Sequence, residues 1–282
     1  MFLAEQQMLL ARVLTDEVVR QAIAGSNDVE GSLREFPDEA RAYLRALDSS
    51  RLTLCADLIK QKREAKIRQM LPLTIGLLGT DAEGLFASFF PMTPPTTISF
   101  LEEAIAFYHF TCSPKFETRN GIQLVREVGR WELLCHEISQ ETKTKICLLS
   151  CCTQHAQPRG RIDASTILQN CAHARWESFT YEIHTIAKNY NANNCVKAPR
   201  KDPQTYLFYK ISGVEQIHIS KINEVTRLFL DCCVGGSHFR KIEMVLQDRL
   251  GMNTTEKRKA FRLALHELAE RLYMKRIISR VN

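Results

Sequence analysis

The chain has 282 residues, 45% of them apolar, enough for two or three domains with a real core, and this excludes a disordered or fibrous polypeptide. Its net charge of +6 is modest for the size and suits an acidic peptide as well as a nucleic acid, so charge alone selects neither. No stretch approaches the roughly 18 apolar residues that a membrane helix needs, so no membrane partner is expected.

At the N-terminus, MFLAEQQMLLARVLTDEVVR carries an acid by residue 5 and has no apolar run leading to a small-residue cleavage site. The protein is therefore expected to be cytoplasmic and its ten cysteines reduced. Residues 1–79 read as helical: Leu3, Leu10, Leu14 and Val18 fall on one arc at about 100° per residue, and Leu52, Ile59 and Met70 repeat the pattern. Asp48 offers an N-cap for the later helix. The run KQKREAKIR, with Lys60, Lys62, Arg63, Lys66 and Arg68, fits an anion or partner site or, more simply, a solvated face. Pro72 bends or ends that helix. After PMTPP, Thr97 can cap a helix whose Phe100, Ile105, Phe107, Tyr108 and Phe110 are most simply core.

From residue 121 the texture changes. GIQLVREV, RWELLCHEIS and TKICLLSCC are apolar or β-branched runs that read as strands; QPRGRID reads as a loop. ARWESFTYEI alternates like a strand and HTIAKNYN follows as a short helix, before NNCVKAPRKDPQ marks a linker or long loop. TYLFYKISG and VEQIHIS then form a hairpin turning near Ser212-Gly213. Three helices follow at about 223–233, 238–250 and 255–276. Asn223 caps the first, Gly235-Gly236 breaks it, Gly251 ends the second, and Thr254 or Thr255 caps the third. The expected fold is α+β: a helical domain over 1–112, a β-rich middle over 113–200 and a winged-helix-like domain over 201–282.

Ten cysteines and eight histidines would suffice for zinc, but there is no Cys-x-x-Cys pair, and the doublets Cys151-Cys152 and Cys232-Cys233 are adjacent in sequence. His155 lies near the first doublet without two further ligands. Cys135-His136 is the nearest nucleophile–base pair, yet on a strand its members face opposite sides. No phosphate-cradling glycine loop occurs. The chain is therefore expected to be neither an enzyme nor a metal binder on its own. Between residues 256 and 280 there are eight Lys or Arg against three Glu, and Lys259, Arg262, His266 and Tyr273 share the helix face opposite Phe261, Leu265, Leu268 and Leu272. Such a basic helix fits a DNA groove, in a transcriptional regulator, or the flank of an edge strand that takes up an extended peptide.

The run from YLFYKISG through VEQIHISKINEVTRLFLDCC to FRLALHELAERLYMKRII resembles the PqqD-like peptide-recognition domain of ribosomal natural-product pathways, in which a hairpin and three helices hold a leader peptide. Upstream, MLPLTIGLLG, LFASFFPMTPPTTISFLEEAIAFYHF and SFTYEIHTIA look like the MbnC-like partner proteins of multinuclear non-haem iron oxidases in methanobactin biosynthesis. The resemblance implies a non-catalytic, cofactor-free subunit that forms a heterodimer with an iron-dependent oxidase, the oxidase turning precursor cysteines into oxazolone and thioamide groups. It further implies that the leader lies along Glu215, Gln216, Ile217, His218, Ile219 and Ser220. There Lys259, Arg262 and His266 would meet acidic leader residues and Tyr273 an apolar one.

Overall fold

The computed structural model describes residues 2–23, 39, 42–43, 46–94, 98–116, 121–149, 162–171, 173–193, 200–210 and 216–281. It is an α+β protein whose chain divides into two compact units, residues 1–133 and 134–282.

The first unit is helical. Helix α1 (Phe2–Thr15) stops at Asp16, whose carboxylate caps α2 (Glu17–Ile23) by accepting from the Val18 and Val19 amides. That break divides the expected apolar arc: Val13 and Val19 are buried, whereas Val18 is exposed. Helix α3 (Ser49–Met70) starts at Asp48, which accepts from the Ser50 and Arg51 amides at 2.9 and 3.4 Å. Pro72 opens α4 (Pro72–Leu78) at a position where its missing N–H costs nothing. Helices α5 (Asp81–Met92) and α6 (Phe100–Thr111) supply the aromatic core, with Phe107 fully buried between Phe86 and Phe89 at 5.0 and 5.3 Å. Ser99 caps α6, accepting from the Glu102 amide; Thr97 lies outside the described residues.

The KQKREAKIR run is corrected at one residue. Arg63 is buried: its Nε donates to Glu103 at 2.7 Å, its Nη2 donates to the Thr93 carbonyl at 2.5 Å, and its guanidinium lies over the rings of Phe89 and Phe90. A buried charge is tolerable only with its partner and hydrogen bonds in place, and both are present here.

The largest correction concerns residues 122–149. The three expected strands are one helix, α7 (Ile122–Leu149), which begins after Gly121. Ile122, Val125 and Val128 are buried at a spacing of three, a helical period, and the run contains no proline that would separate strands. What imitates a strand is the buried cluster Trp131, Glu132, Leu133 and Leu134. Gly129 permits a close approach, because a Cβ there would sit 2.9 Å from Cδ2 of Tyr108 and 3.3 Å from Oγ1 of Thr74. Glu132 accepts from the Leu73 amide at 2.7 Å, the Thr74 amide at 3.0 Å and the Thr74 hydroxyl at 2.6 Å.

The second unit holds two antiparallel sheets. In the larger, β2 (Ala174–Tyr181), β3 (Lys201–Lys210) and β4 (Ile217–Ile222) lie in the order β2-β3-β4, so the expected boundary at 200/201 falls between two strands of one sheet. Pro203 sits at the start of β3, ahead of the β4 pairing and beside the register shift between Phe179 and Tyr181, where its missing donor is harmless. Leu207 and Tyr209 point to the C-terminal helices, while Tyr206 and Phe208 point to the other face, in ring contact with Phe179. On that second face lies α8 (Ile183–Asn193), whose His184 approaches Tyr206. The smaller sheet, absent from the sequence reading, has β1 (Ile167–Asn170) between β5 (Ser237–His238) and β6 (Ile278–Val281).

The three C-terminal helices stand where their boundary residues predict: α9 (Glu224–Cys232), α10 (Phe239–Arg249) and α11 (Thr255–Met274). Asn223 accepts from the Thr226 amide at 2.9 Å and Thr254 from the Lys257 amide at 3.3 Å. Gly235 and Gly236 take φ of 77° and 85°, a region in which a side chain would be strained, and so turn the chain between α9 and β5. The hairpin turn near Ser212-Gly213 lies outside the described residues.

Two stability predictions follow from the α7 contacts. Gly129→Ala should destabilise the protein by about 1–3 kcal/mol in urea denaturation, since the methyl group overlaps the Tyr108 ring. Burial pushes the Glu132 carboxyl up to about 7 although three donors pull it down. Between pH 4.5 and 7 the unfolded chain therefore loses this proton while the folded chain keeps it, so stability should fall as pH rises, by on the order of 3 kcal/mol. Glu132→Gln should flatten that slope in a pH series of urea titrations.

Candidate functional site

Strand β4 is the edge of its sheet. Its inner side pairs with β3 from Lys210↔Ile217 to Thr205↔Ile222, and among the described residues no strand pairs with its outer side. Residues paired across an antiparallel ladder share a face, so His218, Ser220 and Ile222 point with Tyr209, Leu207 and Thr205 towards the C-terminal helices. Ile217, Ile219 and Lys221 point the other way. The His218 ring stacks on Tyr209 with centroids 5.3 Å apart.

A cleft of about 310 Å³ runs between β4 and α11. Its strand wall is Leu207, Tyr209, Ser220 and Ile222, and its helix wall is Leu268, Arg271, Leu272 and Lys275. The helix wall is one face by spacing, since residues three and four apart lie above one another. Leu265, Ala269 and Leu272 are the buried stripe of α11, and Leu268 and Phe261 flank it, half-buried. The buried stripe is thus rotated relative to the expected one, and this decides which residues reach the cleft.

Of the ten expected site residues, Glu215 lies outside the described residues, and Gln216 is exposed just before β4. Ile217, His218, Ile219 and Ser220 are all on the edge strand, on alternating faces. The four helix residues are not brought to it. Arg262 donates to Glu243 of α10 at 2.6 Å. The His266 ring nitrogen Nε2 bonds the Ile162 carbonyl at 2.7 Å, and its ring meets Phe239 edge-on. Tyr273 lies beneath the guanidinium of Arg280 at 5.3 Å, and Lys259 is exposed on the same flank. These side chains serve the α10 and β6 side of α11, away from the cleft. Arg271 and Lys275 reach it instead, legible in hindsight from the spacing Leu268, Arg271, Leu272, Lys275.

The cysteine candidates divide in two. Cys151, Cys152 and His155 lie outside the described residues. Cys135 and His136 are on α7 rather than on a strand. Cys233 is fully buried, and burial pushes its thiol up to about 12; burial also raises Cys232. A thiol held protonated is a poor nucleophile and a poor metal ligand. Among the described residues no group of three or more His, Cys, Asp or Glu is placed to hold a metal ion. Among them, also, no helix is long and apolar enough to cross a membrane.

No model of a known protein family matches the chain, and no curated protein matches it.

Arg262→Ala should cost stability, since it leaves the buried Glu243 carboxylate with Gln247 alone as a donor. The loss should be modest, about 1 kcal/mol, because Arg262 is itself well exposed. Thermal denaturation should show it, whereas binding of any ligand in the β4–α11 cleft should be unchanged.

Proposed function

We propose that this chain is a non-catalytic subunit that clamps the leader of a ribosomally made precursor peptide along β4 and presents the precursor's cysteines to an iron-dependent oxidase. The observation that carries the clamp is the outer edge of β4, unpaired with any strand among the described residues, beside a cleft walled by α11. An edge strand offers alternate N–H and C=O groups that an incoming strand satisfies, and the neighbouring cleft reads the side chains. The oxidase half of the reading rests on the likeness of the sequence to the methanobactin partner proteins. In that division of labour the iron and the oxazolone- and thioamide-forming chemistry sit in the other subunit, and the pair works in the cytoplasm. A DNA-binding regulator is the competing reading; the tie of Arg262 to Glu243 reduces the free positive charge it would require on α11.

Strand addition is tested with backbone chemistry. A peptide captured from the precursor leader should bind the purified chain in fluorescence anisotropy, and the same peptide N-methylated at successive alternate positions should lose about tenfold or more in one of the two registers. Equal binding by both N-methylated registers would remove strand addition. Co-expression with the oxidase should yield a stable heterodimer with iron in the complex; stoichiometric iron in this chain purified alone would overturn the division of labour.

A further inference from the structure

The charge around the cleft is one-sided. Arg271 and Lys275 line its helix wall, Lys221 borders it from β4 with its side chain on the opposite face, and no Asp or Glu lines it. All three cations are exposed. Over the whole chain the excess is local too: residues 239–282 hold eleven Lys or Arg against five Asp or Glu, a surplus of six that equals the net charge of the entire chain. On the other flank of α11 Arg262 is tied to Glu243, whereas no carboxylate pairs with Arg271 or Lys275 on the cleft side among the described residues.

The positions along the cleft are ordered. Lys275 lies over the Tyr209 ring at 5.8 Å, and Tyr209 pairs with His218, so Lys275 marks the His218 end of β4. Leu268 is seven residues earlier on α11, about 10 Å away along the axis, which matches about three strand residues towards Ile222. Asn223 and Thr226 close the cleft at that end. Arg271 lies between Leu268 and Lys275 on the helix wall, as Ser220 lies between His218 and Ile222 on the strand. The wall facing an added strand is therefore apolar at one end and cationic over the rest.

We infer that the cleft selects an extended acidic peptide segment in which one apolar side chain seats between Ile222 and Leu268, and carboxylates two and four residues further on meet Arg271 and Lys275. Only every second residue of an added strand faces α11, so the intervening residues are read weakly, on the face of Ile219 and Lys221. Charge-assisted hydrogen bonds from Arg271 and Lys275 to those carboxylates set the selectivity, and the β4 backbone sets the base affinity. This rests on the strand-addition reading above, but it places the selective residues on the opposite flank of α11 from Lys259, Arg262 and His266.

The test uses the full chain and synthetic, fluorescein-labelled peptides about ten residues long. The first has a Leu-Ser-Glu-Ser-Glu centre in neutral flanks, the second has Gln for both Glu residues, and the third is the first peptide with N-methylated backbone. The acidic peptide should bind about tenfold more tightly than its Gln counterpart at low salt, with the gap narrowing as salt is added. The double variant Arg271→Gln, Lys275→Gln should bind both peptides alike at the weaker level, while Lys259→Gln with Arg262→Gln should keep the preference. Both substituted pairs are exposed, and unchanged circular dichroism and melting temperature confirm the fold of the cleft variant. If the acidic and Gln peptides bind equally but N-methylation abolishes binding, the charge reading is wrong and the clamp stands. If none of the three binds, the clamp falls and the selectivity with it. Displacement of the acidic peptide by duplex DNA at physiological salt would assign the cations to phosphate instead and overturn the peptide as occupant.

Discussion

Everything in the second unit hangs on the double-sided burial of β3. Leu207 and Tyr209 are inserted among the C-terminal helices and Tyr206 and Phe208 lie against the opposite layer, so neither face of this strand can be given to solvent. A strand with both faces buried must also satisfy its backbone on both sides, and β2 and β4 do this. With β3 central, β4 flanks it, and among the described residues no further strand pairs with the outer side of β4. The helices that cover Leu207 and Tyr209 then have to pass beside that edge, and α11 does so with the flank that carries Leu268, Arg271 and Lys275.

The first unit solves a different problem. Its core is unusually aromatic, with Phe86, Phe89, Phe90 and Phe107 in mutual contact, yet it accommodates the guanidinium of Arg63 and the carboxylates of Glu103 and Glu132. Each of these buried groups has partners that only this packing supplies. Arg63 draws α3, the end of α5 and α6 to one point through Glu103 and the Thr93 carbonyl. Glu132 does the same for α7 and the first turn of α4. Such groups contribute little net energy compared with apolar residues of the same size, but an altered helix register would strand a charge, which makes wrong packings expensive.

The parts legible in the sequence were those with local causes. Asn223, Gly235-Gly236, Gly251 and Thr254 act within a turn of the boundary they set, so the three last helices could be bounded to within a residue or two. The strand β2 and the hairpin carried their own alternation. Helix α7 was misread because tertiary burial of Trp131, Glu132, Leu133 and Leu134 on successive positions erases the helical period over that window. Arg63 was misread for a similar reason: what decides its burial is Glu103, forty residues away, and no window of sequence contains both. The edge strand was identified from its pattern, but the flank of α11 beside it was not. The observed stripe keeps Leu265 and Leu272 and adds Ala269, a rotation of less than half the roughly 100° between neighbouring residues, yet enough to decide which flank meets the cleft. The site's helix half was lost in that single angle.

The small sheet has a consequence for the order of assembly. Strand β1 pairs with β6 in a register that joins Gln169 to Ser279, 110 residues apart, and it also receives β5 from between them. A contact across such a span forms only after the intervening chain has been made and most of its loop entropy surrendered. During synthesis, β1 therefore emerges with both edges vacant; β2, α8, β3, β4 and α9 appear before β5 can take one edge, and α10 and α11 before β6 can take the other. Strand β6 fills the second edge of β1, so residues 278–281 act as a latch: nascent chains that have not reached them hold an exposed, pairing-competent strand edge that a chaperone or another nascent copy can occupy first.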